Sequence, residues 1–148
     1  MYVIVAGGGK IGANVTRSLM RLGHEVTLIE QKRDRYEQLE DEFEHQVQRG
    51  DATELFVLEK AGIARPPDVV LALTGDDEDN MIIGQVAQKW FDVRCVVVRV
   101  LDPARAKFYK ERGLDTVCPT SVAIDALMES ARTCAIPLPQ QEAEEVAG

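Results

Sequence analysis

Five apolar residues, Tyr2-Val3-Ile4-Val5-Ala6, run without interruption into Gly7-Gly8-Gly9-Lys10-Ile11-Gly12. A β-branched run of that length reads as a strand buried on both faces of a parallel sheet. Parallel neighbours need crossover connections, usually helices, so this opening commits the chain to strand-helix alternation. The helix that follows carries Ile11, Val15, Leu19 and Leu22 at helical spacing and ends at Gly23.

The alternation continues to residue 134. Glu25 to Ile29 is the second strand, Arg33 to Phe43 a charged helix, Gln46 to Arg49 a short strand, and Thr53 to Ala61 a helix with Thr53 as its expected N-cap. Pro66-Pro67 turns into the apolar strand Val69 to Leu73, and Met81, Ile82, Val86 and Trp90 mark the next helix. Cys95 to Val100 is the fifth strand. Asp102-Pro103 supplies an N-cap and N1 proline for a helix ending at Gly113. Thr116 to Cys118 is the sixth strand, and Ser121 to Cys134 an amphipathic helix with Ile124, Leu127, Met128 and Ala131 on one face. The expected fold is α/β: a single-domain, Rossmann-like, doubly wound parallel sheet of six strands in the order 3-2-1-4-5-6. The domain should span residues 1–136. Residues 137–148, with two prolines, three carboxylates and no base, read as a disordered acidic tail.

Composition narrows the function. Against 25 acids there are 17 Lys and Arg, a net charge of -8, and no run of bases is longer than Lys32-Arg33, which argues against nucleic acid as a partner. The cysteines, Cys95, Cys118 and Cys134, are odd in number and contain no Cys-x-x-Cys pair, which argues against a disulfide framework or zinc site. Cys95 and Cys118 are expected to be inert core thiols and Cys134 the accessible one. No apolar run approaches the 18 or more residues of a membrane span, and Met1 leads directly into a strand. A cytoplasmic protein is expected.

The glycine sequence is a G-x-G-x-x-G in the context it needs, after a strand and opening a helix. Gly7 permits the tight turn, Gly9 the approach of a pyrophosphate, and Gly12 close helix-sheet packing, while the free N–H groups at the helix start, from Lys10 and Ile11 onward, face the phosphates. Glu30 stands 18 positions after Gly12 at the end of the second strand, near the ~20 expected of the acid that accepts hydrogen bonds from ribose hydroxyls. A carboxylate there disfavours a 2′-phosphate, with Lys32 and Arg33 softening the effect, so NAD(H) or ATP/ADP, with AMP as a further candidate, is expected over NADP. Asp51 and Ala52, after Gly50, end the third strand. Asp51 reads either as an acceptor for an adenine amino group or as an Asx turn. Thr74 and Gly75 end the fourth strand at the same edge, and the acidic run Asp76 to Asn80 complements a helix dipole more readily than it forms a ligand or metal site. Arg99 points to the ligand edge or pairs with Asp102 or Asp76. His24 and His45 read as surface residues at the opposite edge.

No catalytic residue is expected: the sequence has no Tyr-x-x-x-Lys relay, Gly-x-Ser-x-Gly elbow or histidine-rich metal set. The segments Val-Ala-Gly-Gly-Gly-Lys-Ile-Gly, Gly23-His24-Glu25-Val26, Leu28-Ile29-Glu30, Gly50-Asp51-Ala52-Thr53 and Thr74-Gly75-Asp76-Asp77-Glu78-Asp79-Asn80 together resemble the KTN or RCK N-terminal (TrkA-N) domains of potassium-transport regulators. The resemblance covers about residues 1 to 134. It implies a non-catalytic, cytoplasmic regulatory subunit that binds NAD(H) or ATP/ADP, forms homodimers or higher rings, and gates a membrane potassium transporter from its inner face. It also implies that Lys10 reaches phosphates across a dimer. Many members continue into a C-terminal ligand-binding domain, and this chain stops short of one, either as a minimal regulator or as one that pairs with another subunit. The alternative is an NAD-dependent oxidoreductase, or a fragment of one, acting with a separate substrate domain.

Overall fold

The computed structural model describes residues 1–135. Residues Met1–Cys118 form one compact unit and the segment from Pro119 another. The first contains six strands, β1 (Tyr2–Ala6), β2 (Glu25–Glu30), β3 (Val47–Arg49), β4 (Val69–Ala72), β5 (Cys95–Arg99) and β6 (Asp115–Val117). They pair in the order β3-β2-β1-β4-β5-β6, every pair parallel. This is the doubly wound Rossmann-like sheet expected. The chain reverses direction across the sheet between β1 and β4, which opens a crevice at the carboxyl ends of the strands.

Helices α1 (Lys10–Arg21), α2 (Arg33–Phe43), α3 (Leu55–Lys60), α4 (Asp77–Gln85) and α5 (Pro103–Glu111) connect the strands. Two apolar layers result. Val3, Val5, Val26, Leu28, Leu39 and Phe43 fill one face. Ile4, Ile29, Leu58, Ile63, Val70, Ile83 and Val98 fill the other. Alternate residues of β1 thus serve opposite layers, which is why its apolar run is unbroken. Helix α6 (Pro119–Ala135) is the described part of the second unit, three residues longer than expected in all, and the expected tail 137–148 lies outside the described residues. Among the described residues no helix is long and apolar enough to cross a membrane.

Several local expectations are corrected. The buried face of α1 is Gly12, Ala13 and Thr16, whereas Ile11 is exposed and Leu22 is 73% exposed. The helix lies so close to the glycine loop that only small residues fit between them. In α4 the core takes Asn80, Met81, Ile83 and Gly84, while Ile82 is exposed. A π-helical turn, Val86–Trp90, then adds a residue to the turn and carries Trp90 out to 72% exposure. Helix α3 begins at Leu55 rather than Thr53, because the Thr53 hydroxyl is bonded to Asp51 at 2.7 Å. Cys95 is exposed and Cys118 half-buried, so neither is a core thiol: Cys95 opens β5 at the sheet's amino edge, and Cys118 follows β6. Cys134 is exposed.

Candidate functional site

The glycine loop is built as its spacing demands. Gly7 has φ 106°, a conformation few L side chains adopt, and a Cβ there would lie 2.7 Å from the Thr74 backbone. A Cβ at Gly12 would collide with the Gly7 carbonyl oxygen, whereas one at Gly9 would meet nothing within 4 Å. The open space over Gly9 is a cavity of about 610 Å³ at the carboxyl ends of the strands. It is lined by nine of the ten expected site residues, Gly7, Gly9, Lys10, Ile11, Glu30, Asp51, Ala52, Thr74 and Gly75. The tenth, Gly12, lies beneath, packed on the loop.

Glu30 does more than end a strand. It is 8% exposed, and its carboxylate accepts from the Gly8 N–H at 2.9 Å and from the Lys32 N–H at 2.7 Å. One side chain therefore ties the glycine loop to the β2–α2 connection. The loop is held from the other side by Arg35, whose Nε donates to the Gly8 carbonyl at 2.7 Å. A Cβ at Gly8 would force Leu39 and the Glu30 carboxylate to shift, since it would collide with the first and lie 2.9 Å from Oε2 of the second.

Gly8 and Arg35 were not foreseen as site residues. Arg35 carries a signal in hindsight: it sits in the first turn of α2, where a positive charge opposes the helix dipole. Arg33, expected nearby, instead pairs with Glu37 at 3.0 Å, while Lys32 lines the cavity.

At the next strand end Asp51 forms an Asx turn, accepting from the Thr53 N–H at 2.9 Å, and also receives the Gln31 amide at 3.3 Å. Thr74 is held by Asn80, a fully buried side chain. Its oxygen accepts from the Thr74 N–H at 2.8 Å and hydroxyl at 2.7 Å, and its amide donates to the carbonyls of Thr74 and Arg99, each at 3.1 Å. Sequence reading treated Asn80 as the end of an acidic run; its task is to lock the ends of β4 and β5 together. Two of the acids before it are likewise structural, for Asp76 caps α4 by accepting from Glu78 and Asp79 N–H groups, and Asp77 accepts from Leu101 at 2.9 Å.

Arg99 reaches the cavity and donates to the Thr74 carbonyl. It pairs with neither Asp102 nor Asp76; Asp102 caps α5 and lies 3.8 Å from Arg105. The lining thus contains four cations, Lys10, Lys32, Arg35 and Arg99, and four carboxylates, Glu30, Asp51, Asp76 and Asp79. Burial holds the Asp79 carboxyl above the usual aspartate range, with Asp76, Asp51 and Glu78 adding like-charge repulsion. Among the described residues no cluster has the makings of a metal site. His24 and His45 lie outside the cavity lining.

The sheet order and the glycine loop at its switch point define the class: this is a Rossmann-type α/β domain of the kind that presents a phosphate-sized cradle at a helix start. More narrowly, the chain belongs to the TrkA-N domain family, whose model matches residues 3–120. The Trk system potassium uptake protein TrkA of Mycobacterium tuberculosis is 38% identical over 134 residues, 90% of this chain and 60% of that protein. The match therefore spans less than two thirds of that relative's length. Among solved structures, the NAD(P)-binding domain of an exopolyphosphatase-related protein from Archaeoglobus fulgidus is 25% identical, with a TM-score of 0.73, covering 88% of this chain and 97% of that one. GsuK bound to ADP is also 25% identical, with a TM-score of 0.70, covering 85% and 32%.

Proposed function

We propose that the chain is a non-catalytic, nucleotide-sensing regulatory subunit of a potassium uptake system, binding NAD(H) or ATP/ADP in the cavity above Gly9 to gate a membrane partner. The observation that carries this is the glycine loop clamped between Glu30 and Arg35, with open space over Gly9 and the first N–H groups of α1 beside it. A fixed cradle of N–H groups at a helix start suits phosphate oxygens. The relative named for potassium uptake, and the neighbours named for NAD(P) and ADP, support the same reading.

The carboxylates of the cavity also favour binding over chemistry. Three of the four, Glu30, Asp51 and Asp76, are each engaged by backbone N–H groups, so their lone pairs serve the loops rather than a reacting substrate; Asp79 is the exception. In this account the nucleotide-binding domain lies within residues 1–136, the protein works in the cytoplasm at the inner face of the membrane, and copies of it assemble as homodimers or higher rings.

A regulator responds only to a ligand that binds its states unequally. Light-scattering mass measurements with NAD, NADH, ATP and ADP should therefore give assemblies that differ between the members of a pair, and NADH should survive incubation with small carbonyl compounds. A monomer indifferent to every nucleotide, or steady NADH consumption, contradicts the proposal.

A further inference from the structure

We infer that Arg99 is a second anion-binding point in the cavity, and that it takes the distal anionic group of a ligand longer than a nucleoside monophosphate. The inference rests on the nucleotide reading above and adds which ligands the site distinguishes and by what residue.

Arg99 closes β5 directly after Val98, which pairs with Ala72 of β4, and Ala72 pairs with Ala6 of β1. Neighbouring strands lie about 4.8 Å apart, so β5 stands roughly 10 Å across the sheet from the strand that carries the glycine loop. The cavity accordingly has two sides. Glu30, Lys32, Arg35 and Asp51 lie at the ends of β2 and β3 or just beyond, and Thr74, Asp79 and Arg99 lie beyond β1 on the other side of the switch point. Ligands of sheets with this order straddle that point, one half on each side. A monophosphate seated on the glycine loop with its nucleoside toward Glu30 occupies the first side only.

On the second side Arg99 is the cation of the lining, and its hydrogen bonding is incomplete. One terminal nitrogen donates to the Thr74 carbonyl. The Nε is buried without an acceptor, and among the described residues no carboxylate lies within ion-pair distance of the guanidinium. The acids that might have served are engaged elsewhere: Asp76 caps α4, and Asp102 caps α5 beside Arg105. A buried charged donor left without an acceptor is unfavourable. The enclosed Nε offers a ligand no access, so a phosphate or carboxylate oxygen would meet the guanidinium at a terminal nitrogen, where a planar, permanently charged donor group suits such an anion better than an ammonium does.

The test is calorimetric titration of the parent, Arg99→Gln and Arg99→Lys with AMP, ATP and NAD. Glutamine can still donate to Thr74 but carries no charge. Arg99→Gln should weaken ATP or NAD by about tenfold, as expected for loss of a charge-assisted contact, while AMP changes by less than about twofold. Arg99→Lys should fall between parent and Gln for the longer ligands, and it alone decides the matter by the same selective loss if the Gln variant does not fold. Equal loss for AMP and the longer ligands, or no loss for any, overturns the inference and leaves the nucleotide reading standing. A parent that binds none of the three overturns both.

Discussion

Replacing Glu30 with glutamine separates a carboxylate that shapes the loop from one that only waits for a ligand. The native side chain accepts two backbone N–H groups, Gly8 at 2.9 Å and Lys32 at 2.7 Å, one on each oxygen. Glutamine keeps one carbonyl oxygen and turns the other acceptor into an NH2, so one N–H must face a donor. The lost bond to a charged acceptor accounts for about 1.5–3 kcal/mol, and the donor left without a partner beside a buried side chain for a further 1–3 kcal/mol at most. Partial relaxation of the loop makes roughly 3 kcal/mol the central expectation, a large share of the ~5–15 kcal/mol that holds a domain together. With about 2–4 °C per kcal/mol for a chain approaching this size, the variant should melt roughly 6–12 °C below the parent with no nucleotide present. The assay is thermal unfolding followed by circular dichroism, repeated in urea. An unliganded Glu30→Gln that melts within a degree of the parent would refute the clamp and leave Glu30 as a ligand contact alone.

Three other perturbations test neighbouring parts of the account. Gly12→Ala drives a Cβ into the Gly7 carbonyl and should cost more than about 3 kcal/mol, whereas Gly9→Val adds atoms to open space, so its melting temperature should stay close to the parent's; urea midpoints check both. Asn80→Asp puts an oxygen where an amide now donates to the Thr74 and Arg99 carbonyls, and should destabilise by about 2–4 kcal/mol, measured by urea unfolding at neutral pH. The raised Asp79 carboxyl binds its proton more tightly folded than unfolded, so the parent loses stability as pH rises from the ordinary aspartate value through the raised one. Asp79→Asn escapes that loss and should show a higher urea midpoint than the parent at pH 7, with the gap closing toward low pH.

The architecture was legible because it rests on local signals. The unbroken apolar run of β1, the glycine spacing and the Asp102-Pro103 cap each have one natural structural solution, and the sheet order follows from their alternation. The faces of helices were less legible. The stripe Ile11, Val15, Leu19 and Leu22 satisfies the helical period, but where α1 meets the glycine loop the Gly7 carbonyl leaves no room for a side chain at Gly12, and the buried positions are Gly12, Ala13 and Thr16, with Leu19 of the stripe packing partly on the core. Trp90 was displaced by a π turn that no spacing rule anticipates. Within the candidate site, residues at strand ends could be read because topology brings strand ends together. Arg35 and Asn80 act on backbone groups of other elements, and Gly8 offers its own backbone to the side chains of Glu30 and Arg35; such long-range bonds leave only faint local traces.

If the cavity over Gly9 is a nucleotide site, nucleotides must stabilise the folded chain through it. Melting the parent and Gly9→Val with saturating NAD, NADH, ATP, ADP, AMP and NADP tests it most directly, since a ligand bound only by the folded state at 100 times its dissociation constant adds ~2.7 kcal/mol. The parent should melt several degrees higher with NAD(H) or ATP/ADP and less so with NADP, and a Gly9→Val chain otherwise as stable as the parent should show no rise. A parent that no nucleotide stabilises, or a Gly9→Val variant stabilised to the same extent, would contradict it.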